Sequence, residues 1–154
     1  MIFNTSMNTL LKEGLIKKSS VDFKAITSLI HRAFLDIKTA ERNLDQDEEC
    51  AYNYAYSTML RCGLAIMFSE GFRPQIKDKH LTIVKFAGSV IGKEYKDLIN
   101  NYDFMRRKRN RFIYEPDIPC SKKEAKDALK TAKDFFYIVQ KHIKKKNPQL
   151  EFDL

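Results

Sequence analysis

Between Met105 and Phe112 the chain carries Arg106, Arg107, Lys108, Arg109 and Arg111. Guanidinium forks match phosphate oxygens, so a run of this kind can hold a polyanion backbone. Its members are not equivalent. On a helix turning about 100° per residue, with Leu98 at zero, Tyr102 falls at about 40°, Met105 at about −20° and Phe112 at about −40°. Arg109 falls at about 20°, in the middle of that apolar stripe, with Arg107 and Arg111 on the opposite side. Arg106, Arg107, Lys108 and Arg111 can snorkel or face water, but Arg109 points inward. An inward arginine is costly unless it is answered. Either it pairs with a carboxylate on another helix, or its face lines a cleft or subunit interface where Arg109 meets a phosphate.

Other reactive residues form no such pattern. His31, His80 and His142 fall on three separate predicted helices, without an acid or second ligand at metal spacing, and read as ordinary surface or core-edge histidines. No phosphate-binding glycine loop, Gly-x-Ser-x-Gly or His-Glu-x-x-His occurs. Cys50, Cys62 and Cys120 are scattered and odd in number, so neither a disulfide framework nor a structural zinc is expected, and a reducing cytoplasm is. Asp45, Asp47, Glu48 and Glu49 complement the start of a helix. Tyr52, Tyr54 and Tyr56 read as core and interface rather than as a stacking platform. No metal and no cofactor is expected.

The elements that must position these groups are helices. Five glycines and four prolines in 154 residues argue against a turn-rich β architecture. The net charge of +8 sits in two segments, the arginine run and Lys141, Lys144, Lys145 and Lys146 near the C-terminus. The body between them is close to neutral. Such a footprint fits a polyanion partner, although the lysine tail also suits the negative end of a helix dipole. The uncharged stretches fall far short of the roughly 18 residues a membrane span needs, and no basic-then-apolar leader opens the chain, so no membrane association and a cytoplasmic location are expected.

One domain spans residues 1–154, with an N-terminal helix extension over 1–18 and a loose tail over 148–154. Asn4, Thr5 and Ser6 cap a first helix reaching about residue 17. Ser19 and Ser20 open a second, whose stripe is Phe23, Ile26, Ile30, Phe34 and Ile37. The third runs from about 47 to 70, with only Arg61 charged between Cys50 and Ser69, and so belongs in the centre of a bundle. The fourth covers 80–91 and the fifth 94–114. Ser121-x-x-Glu124 is a capping box opening the last helix. No strand pair joined by a hairpin turn is evident. The fold class is all-α, an antiparallel helical bundle of five or six helices.

Arg109-Asn110-Arg111-Phe112-Ile113-Tyr114-Glu115, late on the penultimate long helix, resembles the signature of HEPN domains: Arg, often then Asn, three to five further residues, then His. Residues 52–73, an apolar helix ending in Gly-Phe-Arg, resemble the HEPN subgroup with a basic Arg-Arg-x-Arg-Asn run. The resemblance covers about residues 20–145. It implies a homodimer whose motif helices meet in a shared basic cleft. It also implies RNA or a nucleotide as ligand and, as partner, an antitoxin or a nucleotidyltransferase. Many such domains are metal-independent endoribonucleases of toxin–antitoxin and anti-phage systems; others bind without cleaving. Here Tyr114 stands where the nucleases have His. The first expectation is therefore a binding module, with Arg106, Arg107, Lys108, Arg109 and Arg111 on nucleic acid and weak or absent cleavage. The alternatives are a ribonuclease using Arg109, Asn110 and Tyr114, and a purely structural dimeric partner. The Leu98, Tyr102, Met105 and Phe112 face is expected at the dimer interface.

Overall fold

Asp47 accepts a hydrogen bond from the Cys50 N–H and starts α3 (Glu48–Ser69), which Gly71, at φ 83°, helps to end. This helix is apolar on nearly every side, and every other long helix packs against it. The computed structural model describes residues 5–152 and 154; Asn4, an expected capping residue, lies outside them. Around α3 stand α1 (Met7–Lys12), α2 (Phe23–Asn43), α4 (Lys79–Ile91), α5 (Lys96–Tyr114) and α6 (Lys122–Lys146), with a 3-10 turn over Lys93–Tyr95. The all-α helical bundle expected from the sequence is what forms. Among the described residues no helix is long and apolar enough to cross a membrane.

Side-chain pairs give the helix directions. His80 meets Tyr56, and Ile83 lies against Gly63, so α4 runs in the same sense as α3 although the two are consecutive. Tyr102 lies beside Gly63, and Arg109 beside Tyr56, so α5 runs back the other way. Lys108 pairs with Glu124, and His142 with Glu70, which sets α6 parallel to α3. The bundle is thus not antiparallel throughout. The α4 N-terminus and the α5 C-terminus meet at one end, beside the first half of α3.

The parallel step from α3 to α4 is made by a strand the sequence did not announce. Phe72–Pro74 (β2) pairs antiparallel with Ile16–Lys18 (β1), in the register Ile16 to Pro74 and Lys18 to Phe72. The Arg73 Nε donates to Ser19 Oγ at 3.0 Å, joining residues 54 apart. Strands of three residues are too short to show alternation, and the pair has no hairpin turn. The first helix therefore stops at Lys12 rather than near 17; Gly14, at φ 71°, turns the chain and residues 16–18 are extended. The N-terminal segment is part of the core, with Leu10 and Ile16 buried. The second helix begins after Asp22, whose carboxylate accepts from Ala25 N–H, not at Ser19 and Ser20. Ile26, Ile30 and Ile37 are buried as expected, while Phe23 is exposed. At the other end the expected loose tail is anchored, with Leu150 buried and Phe152 packed on the core.

Candidate functional site

The arginine run sits on the last turns of α5, and nearly all of its charge is answered inside the chain. Arg106 Nε reaches Asp103 Oδ1 at 2.9 Å, and Arg107 Nε reaches Asp103 Oδ2 at 3.2 Å. Arg111 Nε lies 2.9 Å from Glu115 Oε2, and Lys108 pairs with Glu124 of α6. Arg106 and Lys108 are mostly covered, so they do not all stand in water as the wheel allowed. Arg107 and Arg111 do remain largely exposed. Among the described residues Arg109 alone of the five has no carboxylate within ion-pair distance. Of its two sequence readings, the pair with an acid on another helix is not realised there.

Arg109 is half-buried, and its guanidinium carbon lies 5.6 Å from the centre of the Tyr56 ring. An arginine over an aromatic face is held by the ring quadrupole without consuming its hydrogen-bond donors. Tyr56 is itself buried, packed on Tyr102 and bonded to His80, its Oη 2.9 Å from His80 Nδ1. Burial holds the Tyr56 phenol well above its usual range, against the opposing pull of Arg109 and Arg106. Burial also lowers the His80 pKa, and the positive charges of Arg109, Lys79 and Arg106 lower it further. At neutral pH the site therefore presents a neutral imidazole, a neutral phenol and an unanswered guanidinium on three helices.

Local sequence places each group. Asp78, at φ 49°, turns the chain into α4 with Lys79 and His80 in its first turn. The close approach of α4 to α3 depends on Gly63: a Cβ there would clash with Ile83 Cγ2 and lie 3.3 Å from Tyr102 Oη. That contact brings His80 to Tyr56. Arg109 arrives on the same face of α5 as Tyr102 and Met105, as its angular position requires.

The remaining predicted residues are placed differently. Tyr114, the last residue of α5, is 82 % exposed and shares no hydrogen bond with Arg109 among the described residues. Asn110 is half-buried. Tyr102, Met105 and Phe112, expected at a dimer interface, are buried in the chain's own core, because α3 and α6 cover that face of α5. The apolar side chains that α5 leaves in solvent are Phe104, Ile113 and Tyr114. His31 is exposed and His142 bonds Glu70, in line with the ordinary roles expected of them. His80 and Tyr56 are the residues missed. They lie 24 residues apart, so no local spacing reveals them.

The cluster can bind an oxyanion through Arg109, and it can move a proton through His80, whose neutral form is the one a base requires. Compared with protein families, curated proteins and solved structures, the chain matches none.

Proposed function

We propose that the chain is a HEPN-like helical module that binds RNA or nucleotide phosphate in a basic cleft centred on Arg109, as a homodimer in a toxin–antitoxin or anti-phage defence setting. The observation that carries this reading is the Arg109 guanidinium, half-buried on Tyr56 and without a carboxylate among the described residues while its four basic neighbours are paired. A desolvated cation left open gains most from an anion that arrives from outside. Arg107 and Arg111, exposed and held by single ion pairs, add phosphate contacts at the edge. A second copy meets this one through Ile113 and Tyr114 rather than through the covered stripe. The resemblance of residues 109–115 to the HEPN signature agrees in placing the ligand on α5. The test is fluorescence anisotropy of labelled single-stranded RNA over a salt series. Arg109→Ala is expected to weaken binding and flatten the salt slope by about one unit. A native chain with no binding at low salt, or an Arg109→Ala chain that binds like the native one, sinks the reading.

His80 favours a second reading, metal-independent RNA cleavage. In the tautomer whose Nδ1–H donates to the Tyr56 oxygen, Nε2 keeps its lone pair and can take the proton of a ribose 2′-OH. The 2′-oxygen then attacks phosphorus to form a 2′,3′-cyclic phosphate as the P–O5′ bond breaks, the departing 5′-oxygen takes a proton from water, and Arg109 steadies the charge on the phosphoryl oxygens. On this reading His80, rather than Tyr114 as in the ribonuclease alternative, is the residue that works with Arg109. Cleavage in EDTA that survives Tyr114→Phe and is lost in His80→Ala supports it. No cleavage, or cleavage that survives His80→Ala, removes it.

A further inference from the structure

Between α5 and α6, beside Phe104, a groove of about 510 Å³ opens. That size lies in the range of small-ligand sites. Its floor is Leu98, Met105 and Ala128, and Phe104 stands at its mouth with 54 % of its surface exposed. Tyr52 of α3 closes the bottom. It is 2 % exposed, and its hydroxyl has no hydrogen-bond partner among the described residues. Burial, then Cys120 and Glu124, oppose its ionisation, and Glu124 lines the same groove. A buried phenol with nothing to bond is unfavourable until an acceptor reaches it. The same α6 wall carries further acceptors in Asp127, Thr131 and Asp134. Lys108, Lys123 and Lys130 each pair with one of the three acids, Glu124, Asp127 and Asp134, so the groove is polar without being a strongly acidic trap.

The ligand that fits is flat and aromatic, with a hydrogen-bond acceptor beside an N–H donor. It also belongs next to phosphate. Taking Phe104 as zero on the α5 wheel, Arg111 lies about 20° away, Lys108 about 40° and Arg107 about 60°, whereas Arg109 lies about 140° away. The groove thus borders the exposed arginines of the run directly.

We propose that the α5–α6 groove is a nucleobase site, in which a base carrying an exocyclic amine beside a ring nitrogen, adenine or cytosine, stacks on Phe104, accepts from the Tyr52 hydroxyl and donates to the carboxylates of α6. The inference rests on the reading that the chain binds RNA or nucleotide phosphate. It adds base preference to what Arg109 does for the backbone, since phosphate contacts alone carry no sequence information.

The experiment compares oligoadenylate, oligouridylate and an abasic ribose-phosphate oligomer of equal length on the full chain, with free adenosine followed by saturation-transfer NMR. Native protein is expected to bind oligoadenylate about tenfold more tightly than the abasic oligomer. Phe104→Ala erases that ratio while leaving abasic binding unchanged. The near-isosteric Tyr52→Phe reduces it several-fold at unchanged melting temperature. Arg109→Ala weakens all three oligomers alike. Equal binding of oligoadenylate and the abasic oligomer, or of oligoadenylate and oligouridylate, overturns the base site and leaves the phosphate reading standing. Adenosine saturated by the native chain but not by Phe104→Ala, with no oligomer bound, does the reverse. If nothing binds, both fall.

Discussion

Two arginines of this bundle lie against neighbouring helices and are treated in opposite ways. Arg61, the lone charge of the apolar part of α3, sends Nε to Asp36 Oδ2 of α2 at 2.7 Å, and Asp36 is 2 % exposed. Arg109 of α5 meets the Tyr56 ring and a histidine whose protonation it opposes. The first pair is closed: each charge answers the other, and the arrangement ties α2 to α3. The second site holds a charge with no carboxylate partner among the described residues. Charge alone does not mark a binding residue. A guanidinium between helices is structural when a carboxylate was folded in with it and available when none was.

The contrast breaks most visibly at its closed end. Arg61→Ala leaves the Asp36 carboxylate buried without a cation and is expected to cost about 3 kcal/mol in urea unfolding. A loss under about 1 kcal/mol would mean that Asp36 finds another partner and that the pair is no fixed joint.

Gly63→Ala comes next. The added methyl overlaps Ile83 Cγ2, and overpacking of this kind costs about 2 kcal/mol. Because the same contact seats α4 on α3, the His80 titration followed by NMR should move back up toward the ordinary histidine range as the imidazole loosens from Tyr56. An unchanged His80 would separate the site from the helix contact.

Arg109→Ala should do little to the fold, under about 1 kcal/mol in thermal unfolding, since only a contact with an aromatic ring is lost. The His80 pKa should rise in the variant, because the second cause of its depression is gone. A large loss of stability would put Arg109 in the same class as Arg61.

The smallest effect is that of pH. His80 is depressed in the free chain, and a bound phosphate stabilises its protonated form, so binding takes up a proton. Affinity for RNA should therefore strengthen as pH falls from 7 toward and below the usual histidine value of about 6.5. The slope should be absent in His80→Gln. The same shift acts on folding in the other sense: the unfolded chain binds the extra proton first, so the part of the stability that depends on a neutral His80 is full above about pH 6.5 and is lost on acidification.

The sequence carried most of this architecture because its signals were local. Asp47 and Ser121 are caps whose partners lie within three residues, Gly71 and Gly92 are stops with positive φ, and the uncharged length of α3 announces its central position. The inward direction of Arg109 was legible because helical rotation fixes it. What surrounds Arg109 was not, because Tyr56 and His80 come from helices whose parallel arrangement no local pattern encodes. The Asp103 bridge to Arg106 was within reach, three residues apart on one helix, and with it the expectation of a broad basic face shrinks to one open cation. The apolar stripe of α5 was right as a stripe and misassigned as a surface, since periodicity tells which residues turn together and not what covers them.

The two three-residue strands bear on how the chain assembles. β1 can find β2 only after the intervening α2 and α3 have folded back, because Ser19 and Arg73 are 54 residues apart in the chain. Closing so long a loop is slow unless local structure shortens it first. Until β1 arrives, the Phe72–Pro74 backbone offers a free edge with the Leu10 and Ile16 sites uncovered behind it. An unpaired edge of that kind recruits strands from other chains. Residues 5–18 thus act as a closing latch on the fold, and a chain that lacks the N-terminal segment through Lys18 should aggregate on refolding at concentrations where the full chain does not.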